Sequence, residues 1–280
     1  MNPYRINGPA LISFSGGRTS AYMLHEILRA HGGKLPDDVH VCFANTGKER
    51  EETLRFVHEC SVRWDVHVNW IEYRDNAEGF EVVGYNSASR NGEPFQAIID
   101  KKKRLPNWKE RWCTDRLKVQ PMTDFAASLG LVPGTYTEVI GLRYDEGMRI
   151  LKGMENAEKR GRKCAWPLAK AKATKNDHVM PFWRAQPFDL CLEPWGGNCD
   201  ICFLKGRGIK KRIIADDPSR ALWWSRNESA YKGKQQRGWF DRRDSIAGLV
   251  EEVRRMPTFF DPIEEADYDV ECGLLCQSVD

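Results

Sequence analysis

Apolar and polar positions alternate along the first half of the chain in two periods. The run Ala10 to Phe14 is apolar but too short for a helix, and reads as a buried strand. In Thr19 to Ala30, residues Ala21, Leu24, Ile27 and Leu28 fall on one helical face, and Gly32-Gly33 stops the helix. Val39 to Ala44 reads as a second strand. Glu51 to Trp64 reads as a second helix, with Leu54, Val57 and Val62 as its stripe. Val66 to Tyr73 and Thr137 to Leu142 are the third and fourth strands. Strands separated by helices predict an α/β fold with a doubly wound, mostly parallel, Rossmann-like sheet. The long segment Arg74 to Gly134 turns helical from about Thr114. After residue 150 the alternation fades into Trp- and Pro-rich helices and loops. A boundary near 150 therefore divides an α/β domain, 1–150, from a cysteine-containing helical and loop subdomain, 151–280, packed on it. No internal repeat or low-complexity segment interrupts the pattern.

Composition adds limits to this picture. Of 280 residues, 41% are hydrophobic and 30% charged, which suits a water-soluble globular chain. A net charge of +3 does not by itself imply a nucleic-acid partner. The charge is uneven, however: Lys101 to Arg104 and Lys205 to Arg212 are basic clusters, read as solvated faces or as a docking surface for a polyanion. No apolar run approaches the ~18 residues of a membrane span, and the start lacks a signal-peptide core. The expected location is the cytoplasm. There, nine cysteines do not suggest a disulfide framework and give weight to metal, cluster or redox chemistry.

The hexapeptide Ser15-Gly16-Gly17-Arg18-Thr19-Ser20 joins the first strand to the first helix. Backbone N–H groups at a helix start attract anions. Two glycines admit close approach, the hydroxyls of Ser15, Thr19 and Ser20 add donors, and Arg18 adds charge. The loop reads as a phosphate cradle, with an N-capped turn as the plain alternative. It is neither the GxxxxGK[ST] loop nor GxGxxG.

Further stretches occur in order. Asn45-Thr46-Gly47 follows the second strand, with Glu52 and Thr53 on the next helix. Gly141, Arg143, Glu146 and Arg149 form Gly-x-Arg-x-x-Glu-x-x-Arg. Ahead of it lies Trp112-Cys113-Thr114-Asp115-Arg116-Leu117-Lys118, with Pro121. Together with Ser-Gly-Gly-x-x-Ser they resemble the phosphoadenosine phosphosulfate (PAPS) reductase family of the PP-loop adenine nucleotide α-hydrolase superfamily, and within it the PAPS-reductase-domain proteins of phages and genome islands. The likeness runs over roughly residues 10–205. Asn45 stands where the family has aspartate. The resemblance implies an adenine nucleotide across the C-terminal edge of the sheet. Ser15 to Ser20 would hold phosphates or sulfate, Lys118, Arg143 and Arg149 would clamp anionic oxygens, and Asn45, Thr46 and Gly47 would lie by the nucleotide. Plain salt bridges with Asp145 or Glu146 are the alternative for the two arginines.

Cys199-x-x-Cys202 can bind zinc, hold part of an iron–sulfur cluster or cycle as a dithiol. The cluster-bearing relatives use a tandem Cys-Cys and a distant CxxC, and here Trp112 replaces one member of the tandem. The resemblance implies a 4Fe-4S cluster on Cys113, Cys199 and Cys202, with Cys191, Cys272 or Cys276 as fourth ligand or with an open iron. Cys42 and Cys60 read as buried thiols. Glu271-Cys272-Gly273-Leu274 resembles the tail of PAPS reductases, whose cysteine attacks sulfur, with Leu275 in place of histidine. Cys272 is then the nucleophile or, with Cys276, part of a metal site.

The leading expectation is reduction of PAPS or adenylyl sulfate to sulfite, with thioredoxin or a similar thiol as donor. The alternative is an ATP-dependent sulfurtransferase, with Mg2+ accompanying ATP and a nucleic acid as acceptor, in base thiolation or DNA phosphorothioation. A non-catalytic nucleotide- or cluster-binding accessory protein is the third reading. Family likeness implies a homodimer and no membrane partner.

Overall fold

The structure, a computed structural model, describes residues 2–193, 196–197, 199–231 and 238–256. Its six strands are β1 (Ala10–Ser13), β2 (Val39–Asn45), β3 (Val68–Tyr73), β4 (Phe80–Val83), β5 (Thr137–Ile140) and β6 (Lys163–Ala165). They form one sheet in the order β4-β3-β2-β1-β5-β6. Only the β3–β4 pair is antiparallel. Ile12 in the centre lies beside Val41 on one side and Val139 on the other.

The sheet is buried on both faces, as its apolar strands require. Ala10, Ile12, Val41, Phe43, Val68 and Trp70 pack with helices α1 (Arg18–Ala30) and α2 (Glu51–Arg63) in one core. The alternate residues Leu11, Cys42, Ala44 and Ile71 face a second core. Its other wall is α5 (Gln120–Ser128), which follows α3 (Glu93–Lys102), the short α4 (Trp112–Thr114) and a π-helical turn, Asp115–Val119. The fold is thus the doubly wound, mostly parallel α/β sheet that the pattern predicts.

Local chemistry explains the ends of α1. Gly17 precedes it with extended backbone and no side chain caps its first turn. At the other end Gly32 and Gly33 have φ of 71° and 93°, and Gly33 N–H bonds back to Leu28 O at 2.8 Å. On α2 the buried stripe is Leu54, Phe56, Val57 and Cys60. Val62, expected on that stripe, is 65% exposed.

Beyond β5 the chain forms α6 (Gly147–Lys159), α7 (Pro167–Lys170), α8 (Met180–Arg184), α9 (Arg207–Asp216), α10 (Arg220–Tyr231) and α11 (Ile246–Arg255). The last three bury Ile209, Ile213, Trp224 and Leu249 against Phe95, Ile99 and Leu117 in a third core. Among the described residues no helix is long and apolar enough to cross a membrane.

Strand order fixes where a ligand fits. From β1 the chain moves outward through β2 and β3, then returns to place β5 on the other side of β1. The crevice at the C-terminal ends of β1 and β5 is the topological switch point, the usual ligand position in open α/β sheets.

Candidate functional site

The Ser15–Ser20 loop borders this crevice. It is tied shut from within. Ser20 Oγ lies 2.8 Å from Ser15 Oγ, donates to Gly17 O at 3.0 Å and accepts Ser15 N–H at 3.2 Å. Gly16 has φ of 78°, and a Cβ there would stand 2.7 Å from the Thr53 methyl and 3.0 Å from Phe43. The first glycine therefore serves the packing of β1 against α2, a task beside the anion approach expected of it. The buried Thr53 hydroxyl beside it has no hydrogen-bond partner among the described residues. Arg18, expected at the phosphates, reaches the later chain. Its guanidinium grips Asp189 at 2.7 and 2.6 Å, and Trp183 Nε1 donates to Arg18 O at 2.9 Å. This arginine bolts the start of α1 to the later chain.

Arg143, at the end of β5, closes the crevice from the other side. It is 3% exposed, and its Nη1 donates to Thr19 Oγ1 at 3.0 Å. Its Nε meets Asp145 at 3.1 Å, and its backbone N–H donates to Glu146 at 2.9 Å. Arg149 pairs with the other oxygen of Glu146. The salt bridges expected as the plain alternative are therefore present, and Arg143 also reaches the loop. A Cβ at Gly141 would come within 3.3 Å of Ser20 Cα, so the two loops run in close contact.

The turn after β2 is organised by Glu49, a residue that the sequence pattern did not single out. Its buried carboxylate accepts Thr46 N–H at 2.8 Å and Thr46 Oγ1 at 2.7 Å on one oxygen. The other oxygen meets Lys118 at 3.4 Å and Cys199 Sγ at 3.9 Å. Glu49 also pairs by an isolated β-bridge with Cys199. Thr46 and Lys118, two of the expected nucleotide ligands, thus converge on one carboxylate. Asn45 is fully buried. Its amide donates to Glu72 at 2.6 Å and to Ser89 O at 2.9 Å, while its carbonyl accepts Gly47 N–H at 3.0 Å. Gly47, with φ of 74°, lets Gly92 approach.

The loop carrying Cys199 and Cys202 is held by Lys205. This ammonium is buried and donates to the carbonyls of Gly196, Cys199 (2.6 Å) and Asp200 (3.1 Å). Burial pulls its pKa down to about 8, against the influence of both nearby thiols. Cys113 packs at the edge of the third core. Cys191 is exposed, and its thiol donates to Asp189 O at 3.3 Å. Among the described residues no group of three or more His, Cys, Asp or Glu side chains is arranged to hold a metal ion. Among the described residues the expected 4Fe-4S cluster finds no assembled set of ligands, and no step below runs through one. Cys272 and Cys276, the expected nucleophile and alternative ligands, lie outside the described residues. Cys42 and Cys60 are fully buried, and burial pushes both thiols far up from their usual range.

The two basic clusters differ from one another. Lys101 and Lys103 are exposed. Within Lys205 to Arg212, however, Lys205, Lys210 and Lys211 are each no more than 2% exposed. Lys210 pairs with Asp241 at 2.9 Å and Lys211 with Glu252 at 3.6 Å. The three lysines of that run are turned inward, whereas Arg207 and Arg212 are half-buried.

No family model matches the chain. An uncharacterized nin region protein of Escherichia phage lambda is 33% identical over 203 residues, covering 70% of this chain and 66% of that one. An uncharacterized protein of Methanocaldococcus jannaschii is 29% identical over 121 residues, covering 43% of this chain and 20% of that one. The chain thus spans just under two thirds of the first relative and a fifth of the second. Among solved structures, it is similar to the U34-tRNA thiolase NcsA from Methanococcus maripaludis with its 4Fe-4S cluster. The TM-score is 0.36 and the identity 11%, over 93% of this chain and 75% of that chain.

Proposed function

We propose that the crevice between β1 and β5 binds ATP, and that the protein is a PP-loop enzyme of sulfur transfer. The observation that carries this reading is the Thr19–Arg143 hydrogen bond. It sets a buried guanidinium against the uncapped first turn of α1 at the switch point. Backbone N–H groups and a guanidinium fork together suit the oxygens of a polyphosphate.

In this reaction an acceptor oxygen attacks the α-phosphorus, and the α–β bridging bond breaks to release pyrophosphate. The α1 N-terminus and Arg143 stabilise the charge that grows on the leaving group. A sulfide equivalent then displaces AMP from the acceptor, leaving sulfur in place of oxygen. No electrons are transferred in either displacement. The loop of Cys199 and Cys202 is docked on Glu49 in the turn after β2.

The reductase reading depends on Cys272, outside the described residues, and draws less support from the geometry. The discriminating experiment is calorimetric binding of ATP, PAPS and adenylyl sulfate to protein purified without oxygen, followed by assay for pyrophosphate release. Binding of ATP with pyrophosphate formation is expected. Tighter binding of a sulfonucleotide, or no ATP binding, would overturn the proposal.

A further inference from the structure

A cleft of about 430 Å³ lies between the turn after β2, the segment before α3 and the first turns of α10. None of the residues assigned to the nucleotide crevice lines it. Its walls carry four cations, Lys48, Arg90, Arg220 and Arg226, against one carboxylate, Asp200.

The single negative charge is already satisfied. Asp200 accepts Lys48 at 2.9 Å on one oxygen, and Trp224 Nε1 and Ile201 N–H, both at 2.7 Å, on the other. Lys48 is buried, with its ammonium 5.3 Å from the centre of the Trp223 ring. Arg90 is steadied by Glu51 at 2.8 Å and Arg220 by Asp217 at 3.1 Å. These pairs fix two guanidinium groups at the walls. Arg226, exposed and one turn beyond Trp223 on α10, has no carboxylate partner among the described residues. Three of the four cations are thus balanced by carboxylates, Arg226 supplies the excess positive charge, and a concavity with that excess concentrates anions. Arginine forks match tetrahedral oxyanions in particular. The rim also includes Leu222, which is 69% exposed and supplies an apolar wall that a bare ion would not use.

We propose that this cleft is a second oxyanion site, holding the phosphate or sulfate group of an ester. Its role, though not its existence, rests on the sulfur-transfer reading: it grips an anionic group of the acceptor while ATP occupies the crevice at β1 and β5. Free oxyanions and the phosphodiesters of a polynucleotide share this chemistry.

The test titrates the full chain with inorganic phosphate and, separately, with a fluorescent single-stranded oligonucleotide, alongside ATP. Wild-type protein binds at least one of the two probes. Arg226→Glu weakens that binding by roughly tenfold or more, the range of a charge-assisted hydrogen bond. Arg226→Lys retains most of it, and the thermal midpoint and ATP affinity of both variants match wild type. Loss of both probes identifies recognition at the level of the ion, and loss of the oligonucleotide alone identifies a polynucleotide; either supports the site. Binding by Arg226→Glu equal to wild type, or no binding of either probe by wild type at millimolar concentration, overturns it. If ATP fails to bind while the Arg226 effect persists, the proposed function falls and the cleft stands.

Discussion

Arg143 Nη1 donates a 3.0 Å hydrogen bond to Thr19 Oγ1, joining the loop after β5 to the first turn of α1 across 124 positions of sequence. The bond brackets the crevice with donors on both sides. Arg143→Ala is expected to lower ATP affinity roughly 10- to 100-fold, as loss of a charge-assisted contact does. Arg143→Lys should recover only part, because an ammonium lacks the planar fork. Thr19→Val, which leaves Arg143 its partners Asp145 and Glu146, should have the smaller effect. Calorimetry on the three variants checks the order. Equal affinity in all three would remove Arg143 from the site.

Gly16 yields a prediction about stability rather than binding. Alanine there must hold φ near 78° and bring its Cβ to 2.7 Å from the Thr53 methyl. Together the backbone strain and the overlap should cost about 2–4 kcal/mol, measured by urea unfolding. Thr53→Ser removes the offending methyl. The double variant should therefore be more stable than Gly16→Ala alone, although Phe43 at 3.0 Å still limits the recovery. A Gly16→Ala protein as stable as wild type would refute the packing role.

Glu228, on α10, makes stability depend on pH. Burial pushes its carboxyl up to about 7, while the backbone N–H groups of Ile246 (2.7 Å) and Phe240 (3.3 Å) and the charge of Lys210 pull the other way. A carboxyl raised in the folded state binds a proton there that the unfolded chain has already released. Its contribution is complete below the unfolded value of 4.5 and is lost as pH rises to about 7. The decline amounts to at most roughly 3 kcal/mol. Glu228→Gln should flatten this slope. The slope, not the absolute stability, is the readout, because an amide oxygen replaces only part of what the carboxylate accepts. Parallel pH profiles for the two proteins would show that another group is responsible.

The sequence patterns identified the four inner strands because each is apolar enough to be buried on both faces. β4 and β6 escaped that reading for physical reasons. They are edge strands of four and three residues, and neither contains a buried position. The Ser15–Ser20 loop and Arg143 were legible from residue types and order. The partners of these residues were not. Nothing near Arg18 indicates that it meets Asp189, 171 positions away. Nothing near Asn45 indicates that Glu72 and Ser89 accept its amide. Glu49 carried a weak signal, an acidic residue three positions after Thr46 in a turn, but its contacts with Lys118 and Cys199 come from distant chain. Lys205 to Arg212 looked like a surface because a run of charge normally is one. Its counter-charges, Asp241 and Glu252, lie far downstream.

The burial of Cys42 and Cys60 turns the central sheet and α2 into their own clock. An alkylating reagent needs a thiolate and room to approach, and the native fold denies both at these positions. Brief treatment of the native protein should modify Cys191 and leave those two untouched. Slow labelling of Cys42, read by mass, then times the opening of β2, and a ligand that stabilises the sheet will lengthen that interval whatever its chemistry.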